Sequence, residues 1–222
     1  MIALVIALEE ETKGIEHPYI YISGVGKVNS AIATFKAIKD GATTIINYGS
    51  AGLVNKKRIG LVDNLITPNA IVQRDMSAEP LAPRGITPFE QGTLAGALYL
   101  NIGTDIILGS GDSFVKDNDE WFDYAEVDIV DMEAYSIYKV CKHFDVNFEC
   151  YKWISDFADE DASKEWSKNV SNGNTAFNKV LSARSSAGQS NGLLSRGSGV
   201  RISPGRPTCR TLWDYDVFGH GG

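Results

Sequence analysis

The sequence predicts an α/β domain with a mostly parallel sheet, on three observations. Residues Ile2–Leu8 form a continuous apolar run, the pattern of a strand buried on both faces beneath helices. Short β-branched, apolar runs then alternate with segments of helical period down to about residue 183, as in strand–helix–strand units. Acids, glycines or small hydroxyls follow these runs, at the strand ends where open α/β sheets hold their ligands.

In chain order, Ile2–Leu8 is the first strand and Tyr19–Ser23 the second. Gly24-Val25-Gly26 is a turn, and Lys27–Lys39 a helix with Val28, Ala31, Ile32, Phe35 and Ile38 on its apolar face. Thr43–Tyr48 is a third strand. Leu65–Val72 reads as one more, made irregular by Pro68. Thr87–Gly103 has no clear period. Gly103–Leu108 is a strand leading into Gly109–Val115, and Asp128–Asp131 another. Met132–Phe144 is a helix with Met132, Tyr135, Ile137, Val140, Cys141 and Phe144 on its apolar side. Phe148–Ile154 is a strand, and Ala162–Leu181 a closing helix interrupted near Gly173. The domain covers 1–183. The tail, 184–222, is rich in Ser, Gly and Arg without sustained periodicity and reads as disordered. Within it, Val200-Arg201-Ile202 can be spelled GTT-CGA-ATC, the usual spelling of a transfer-RNA T-arm loop. One hypothesis is that the reading frame runs into such a gene, which other codons there would refute.

Hydrophobic residues make up 43% of the chain and charged ones 22%, enough for a packed core. Net charge is −7; the tail contributes +3, so the domain carries −10. An acidic body lacks the basic footprint of nucleic-acid binding. No apolar run reaches the ~20 residues of a membrane span. Met1–Leu8 runs straight into Glu9-Glu10-Glu11 without a basic leading region, unlike a signal peptide. Cys141, Cys150 and Cys209 have neither disulfide nor metal-ligand spacing. No metal or cofactor is expected, and a reducing cytoplasm fits.

Taken singly, the polar elements have ordinary readings. Glu9–Glu11 suits the first turn of a helix. Gly24-Val25-Gly26 lacks the third glycine of a dinucleotide fingerprint, since Asn29 stands there, and it has the wrong spacing for a phosphate-binding loop. Gly49-Ser50-Ala51-Gly52 reads as a turn, Glu133 as a cap-region acid and Asp156 as an N-cap. His17, His143 and His220 have no companions for a triad or metal site. Together the acids, glycines, small hydroxyls and one aromatic suit a small, polar, uncharged ligand with a ring.

The blocks in order are more specific than their parts. They are Glu9-Glu-Glu11, Ser23-Gly-Val-Gly-Lys-Val28, Asn47-Tyr-Gly-Ser-Ala-Gly52, Ser110-Gly-Asp-Ser-Phe-Val115, Asp131-Met-Glu-Ala134 and Ile154-Ser-Asp-Phe-Ala-Asp159. The chain resembles the purine nucleoside phosphorylase and nucleosidase family over residues 1–183. Within it, it is most similar to the 5′-methylthioadenosine/S-adenosylhomocysteine nucleosidases.

The resemblance implies a three-layer αβα sandwich with a mixed, mostly parallel sheet, trimmed between Glu11 and Ser23. It implies hydrolysis of an adenine nucleoside between purine N9 and ribose C1′. That reaction needs a protonated leaving base, a placed water and a gripped sugar, and two carboxylates on opposite faces answer the first two needs. By similarity, Asp156 protonates purine N7 with a raised pKa, oriented by Ser155. Glu11, helped by Ser50, activates water. Glu133 binds the ribose hydroxyls and Met132 packs on the sugar. Phe114 stacks on the purine, and the Val115 backbone reads its edge. Leu8, Val25 and Trp166 line the ribose and its 5′ substituent. A homodimer is also implied.

A phosphorylase would need arginine forks for phosphate. Before the tail only Arg58, Arg74 and Arg84 occur, and acids stand where phosphate ligands would be expected. Hydrolysis is therefore favoured. A phosphorylase recruiting Arg74 or Arg84, and a non-catalytic nucleoside-binding protein on the same fold, are the alternatives.

Overall fold

Alternation along the first strand sets the two faces of the sheet. Ala3 and Val5 join one buried cluster, Leu4 and Ile6 another, as the two-residue period of a strand requires. The computed structural model describes residues 1–90, 96–100, 102, 104–117 and 119–190. The elements are β1 (Ile2–Ile6), a 3-10 turn (Glu9–Thr12), β2 (Ile20–Ile22), α1 (Lys27–Lys39), β3 (Thr44–Leu53), a second 3-10 segment (Lys56–Leu61), β4 (Leu65–Ile66), β5 (Ala70–Gln73), β6 (Leu98–Tyr99), β7 (Ile107–Ser110), α2 (Glu120–Tyr124), β8 (Ile129–Asp131), α3 (Ala134–His143), β9 (Asn147–Phe157), α4 (Ala162–Asn169) and α5 (Asn174–Ser190).

Among the described residues the strands form one mixed sheet, ordered β2-β1-β3-β8-β7-β5-β6, with β9 beside β3 and β4 beside β9. The pairs β1–β2, β1–β3, β3–β9, β5–β7 and β7–β8 are parallel. The pairs β3–β8, β4–β9 and β5–β6 are antiparallel. Helices α1 and α3 cover the first face, contributing Ala37, Tyr135, Ile137, Tyr138 and Cys141 to its core. On the second face Phe177 of α5 stacks on Tyr48 of β3, ring centroids 4.1 Å apart. The three-layer αβα sandwich is therefore present, and the connection from Thr12 to Ile20 contains no strand.

Several elements differ from the sequence reading, each for a physical reason. Leu65–Val72 is two strands, since the chain breaks at Pro68: β4 pairs with β9 and β5 with β7. Gly49–Gly52 is not a turn but the C-terminal half of β3. Asp156 is not an N-cap but lies within β9. The apolar face assigned to α1 holds only in part: Ala31 and Ile38 are half-buried, and Ile38 packs on the core, but Val28, Ile32 and Phe35 are exposed, while Ser30, Thr34 and Ala37 are buried. Small side chains let α1 approach α3, where Ser30 Oγ lies 2.6 Å from Ser136 Oγ. In α3, Tyr138 is buried, whereas Phe144 caps the helix and is exposed. The closing helix divides at Gly173, where a Cβ would lie 2.6 Å from Trp153 Cγ. Helix α5 runs past residue 183, and Arg184 pairs with Glu149. Part of the 87–103 stretch, the start of the strand expected at Gly103, and the tail from residue 191 lie outside the described residues.

Candidate active site

The site forms where β1, β3, β7, β8 and β9 end. Leu8, Glu11, Val25, Ser50, Phe114, Val115, Met132, Glu133, Asp156 and Trp166 line a single cavity of about 210 Å³. Ten of the eleven residues expected from the sequence thus converge on it. The eleventh, Ser155, lies directly behind, with Ser155 Oγ donating to Asp156 Oδ2 at 2.6 Å.

Glu11 reaches the cavity because the chain turns sharply after β1, in one 3-10 turn. Its Oε1 accepts from Ser50 N and Ser50 Oγ, both at 2.8 Å, and its Oε2 from Leu8 N at 3.3 Å. A side chain at Gly49 would crowd this carboxylate, its Cβ falling 3.3 Å from Oε1. Burial raises the Glu11 pKa, and the Ser50 bonds and the Lys152 charge only partly offset that.

Asp156 is placed by an irregularity. The parallel register of β3 with β9 shifts between Ala51 and Gly52, so that Gly52 faces Asp156 and Ser155 is the extra residue. Such bulges re-aim side chains beside functional sites. Gly52 leaves room for the carboxyl, since a Cβ there would lie 3.0 Å from Asp156 Oδ1. Burial pushes Asp156 up to about 6, opposed by the Ser155 bond and aided by the charges of Glu165 and Asp159.

Glu133 sits at the start of α3. Its Oε1 accepts the Gly26 N–H at 2.9 Å, so the glycine turn serves as a backbone donor to an acid. Gly26 has φ of 97°, a conformation suited to glycine. Burial and the Asp131 charge raise Glu133. Phe114, half exposed at the cavity wall, is carried on the loop after β7.

Three residues in or behind the cavity take roles that the sequence reading did not give them. Asp131 is buried and accepts from Ser110 Oγ at 2.5 Å and Ala134 N at 2.9 Å. It pairs with Lys152 at 2.7 Å, each side chain 1% exposed. Burial alone would lower the Lys152 pKa, but Asp131, Cys150 and Glu133 reverse this and hold it above its ordinary value. A lysine inside the apolar run Cys150–Ile154 was the available signal. Arg74, considered only as a phosphate ligand, is a clasp. It donates to Gly111 O, Ser113 O and Ser113 Oγ, joining the aromatic-bearing loop to β5. Arg84 in turn donates to Arg74 O and Asp119. Among the described residues no group of His, Cys, Asp and Glu is arranged to hold a metal ion.

A 5′-methylthioadenosine/S-adenosylhomocysteine nucleosidase of Exiguobacterium is 30% identical over 167 residues, covering 64% of this chain and 68% of that protein. One from Staphylococcus haemolyticus is 32% identical over 155 residues, covering 61% and 67%. Among solved structures, the futalosine hydrolase of Helicobacter pylori superposes with a TM-score of 0.71 at 21% identity, over 82% of this chain and 95% of that one. A Helicobacter pylori methylthioadenosine nucleosidase superposes equally well, with 82% and 96% covered. At that identity the structural likeness shows the fold alone. The family model of the phosphorylase superfamily matches residues 12–185, and the chain belongs to that superfamily.

Proposed function

We propose that this chain hydrolyses the N-glycosidic bond of an adenine nucleoside of the 5′-methylthioadenosine or S-adenosylhomocysteine type. The observation that carries the reading is one cavity lined by Glu11, Glu133 and Asp156, with Asp156 held toward its protonated form. The nucleosidase names of the relatives support it. Phe114 and the Val115 backbone hold the purine, Met132 and Glu133 the ribose, and Leu8, Val25 and Trp166 the 5′ side. As the C1′–N9 bond breaks, its electron pair passes into the purine and N7 takes the Asp156 proton. A water attacks C1′ and gives its proton to Glu11. The products are adenine and the 5′-substituted ribose.

Hydrolysis is favoured over phosphorolysis because the terminal nitrogens of the nearby guanidiniums are engaged elsewhere. Arg74 and Arg84 donate to backbone carbonyls, Ser113 and Asp119, while Glu11, Asp131, Glu133 and Asp156 line the cavity. A phosphate dianion among these acids meets repulsion. The test is adenine release from 5′-methylthioadenosine with and without phosphate, alongside Asp156→Asn. Equal release in both buffers, lost in the variant, supports the proposal. Release only with phosphate replaces it with the phosphorylase, and binding without turnover replaces it with a nucleoside-binding protein. The proposal extends to a cytoplasmic homodimer acting in methionine salvage. The exposed Val28, Ile32 and Phe35, with Phe144 packed on Phe35, are the apolar surface for a second copy. A monomer by sedimentation overturns that part.

A further inference from the structure

Ser50 stands between two groups with opposite hydrogen-bonding roles. An indole N–H can only donate and an ionised carboxylate can only accept, while a serine hydroxyl does both. Trp166 Nε1 lies 2.9 Å from Ser50 Oγ, so the serine oxygen accepts that bond. Ser50 Oγ lies 2.8 Å from Glu11 Oε1, so its proton is directed to Glu11. The Ser50 N–H reaches the same oxygen at 2.8 Å. Oε1 therefore carries two short donors, and among the described residues Oε2 carries only the longer bond from Leu8 N at 3.3 Å. The acceptor capacity left on this carboxylate is concentrated on Oε2.

Helix α4 is tied down so that Trp166 can hold this position. Glu165 accepts the Phe157 N–H at 3.1 Å, and Asn169 Nδ2 donates to Ser155 O at 2.9 Å. The same two contacts anchor α4 to the strand that carries Asp156.

We propose, resting on the nucleosidase reading, that Trp166 is a positioning residue acting through its N–H. By fixing the Ser50 proton on Glu11 Oε1, it keeps Glu11 ionised and leaves Oε2 to take the proton of the attacking water. This role is separate from any packing of the indole against substrate. The other titratable or charged groups around Glu11 are Lys152 and Asp156 of β9, Asp131 and Glu133 at the β8–α3 junction, and Tyr48 of β3. Trp166→Phe alters none of them.

Trp166→Phe keeps an aromatic ring and removes the N–H donor, together with part of the indole's bulk. Its kcat for adenine release from 5′-methylthioadenosine falls about 5- to 10-fold, with KM changed less than about two-fold. The acid limb of its kcat profile moves to higher pH, because Glu11 loses support for its charged form. Ser50→Ala lowers kcat further than Trp166→Phe, and adding Trp166→Phe to it causes no additional loss. A change confined to KM, or additive losses, overturns the proposal. A readout independent of turnover is the Trp166 indole N–H resonance, identified by its absence in Trp166→Phe. It shifts with pH in the wild type and ceases to do so in Glu11→Gln. A resonance that does not titrate, or that still titrates in Glu11→Gln, overturns the relay while leaving the nucleosidase reading intact. A wild type without adenine release overturns that reading instead, and the resonance alone then decides whether the relay exists.

Discussion

Replacing Asp156 by Asn separates what the residue does for the reaction from what it costs the fold. Asp156 is 4% exposed, and its carboxyl titrates at about 6 rather than its ordinary 3.8. The folded protein thus binds this proton more tightly than the unfolded chain does. The resulting stabilisation is fully present below pH 3.8 and is lost as pH rises through about 6. At about 1.4 kcal/mol per pH unit, the charged form costs about 3 kcal/mol above pH 7. Asn is nearly isosteric with the neutral acid, keeps an acceptor for Ser155 Oγ and carries no charge. Asp156→Asn is therefore expected to be more stable at pH 8 by up to about 3 kcal/mol, a Tm gain of roughly 6–12 °C for a chain of this size. The gain vanishes toward pH 4. Urea unfolding of both proteins at pH 8 and pH 4.5 measures it. Adenine release falls at least about 100-fold in the same variant, the pairing of stability gained with activity lost that marks a site built for chemistry. A stability difference independent of pH, or a less stable variant at pH 8, refutes the reasoning.

Other perturbations test the surrounding frame. Lys152→Met strands the buried Asp131 carboxylate and is expected to cost about 3–5 kcal/mol, seen as a lower urea midpoint; Lys152→Met with Asp131→Asn recovers part of the loss. Gly173→Ala drives a Cβ to within 2.6 Å of Trp153 Cγ and should cost about 1–3 kcal/mol in thermal unfolding. Glu165→Gln removes a charge that raises Asp156 but keeps an acceptor for the Phe157 N–H. The basic limb of the rate profile should move to lower pH in that variant, while the acid limb stays in place.

How much was legible in the sequence depended on the range of the contact involved. The α/β alternation and the strand-end motifs were readable because hydrophobic periodicity and short polar blocks are local. The buried side of α1 was not. The apolar residues Val28, Ile32 and Phe35 have helical spacing, but the close approach of α3 selects the face with Ser30, Thr34 and Ala37. Gly49 and Gly52 look like turn residues in isolation. Their reason is tertiary, because each leaves space for a carboxylate brought from a distant part of the chain, Glu11 and Asp156 respectively. Lys152 finds Asp131 across the sheet and Arg74 grips a loop that begins beyond β7. Neither partnership leaves a mark on local spacing.

These distant contacts also give the acids of one small cavity different surroundings. Asp131 is held by Lys152, Ser110 and the Ala134 N–H. Its charge raises Glu133, and Glu11 adds to that effect, while Lys152 opposes it. Asp156 answers to a different neighbourhood: the acids that raise it are Glu165 and Asp159, on and just before α4. Two environments pressing separately on two carboxylates are what acid–base division of labour requires. Helix α4 touches both sides of that division, through Glu165 toward Asp156 and through Trp166 and Ser50 toward Glu11. A short helix at the end of β9 therefore touches the surroundings of both carboxylates, the proposed proton donor and the proposed proton acceptor.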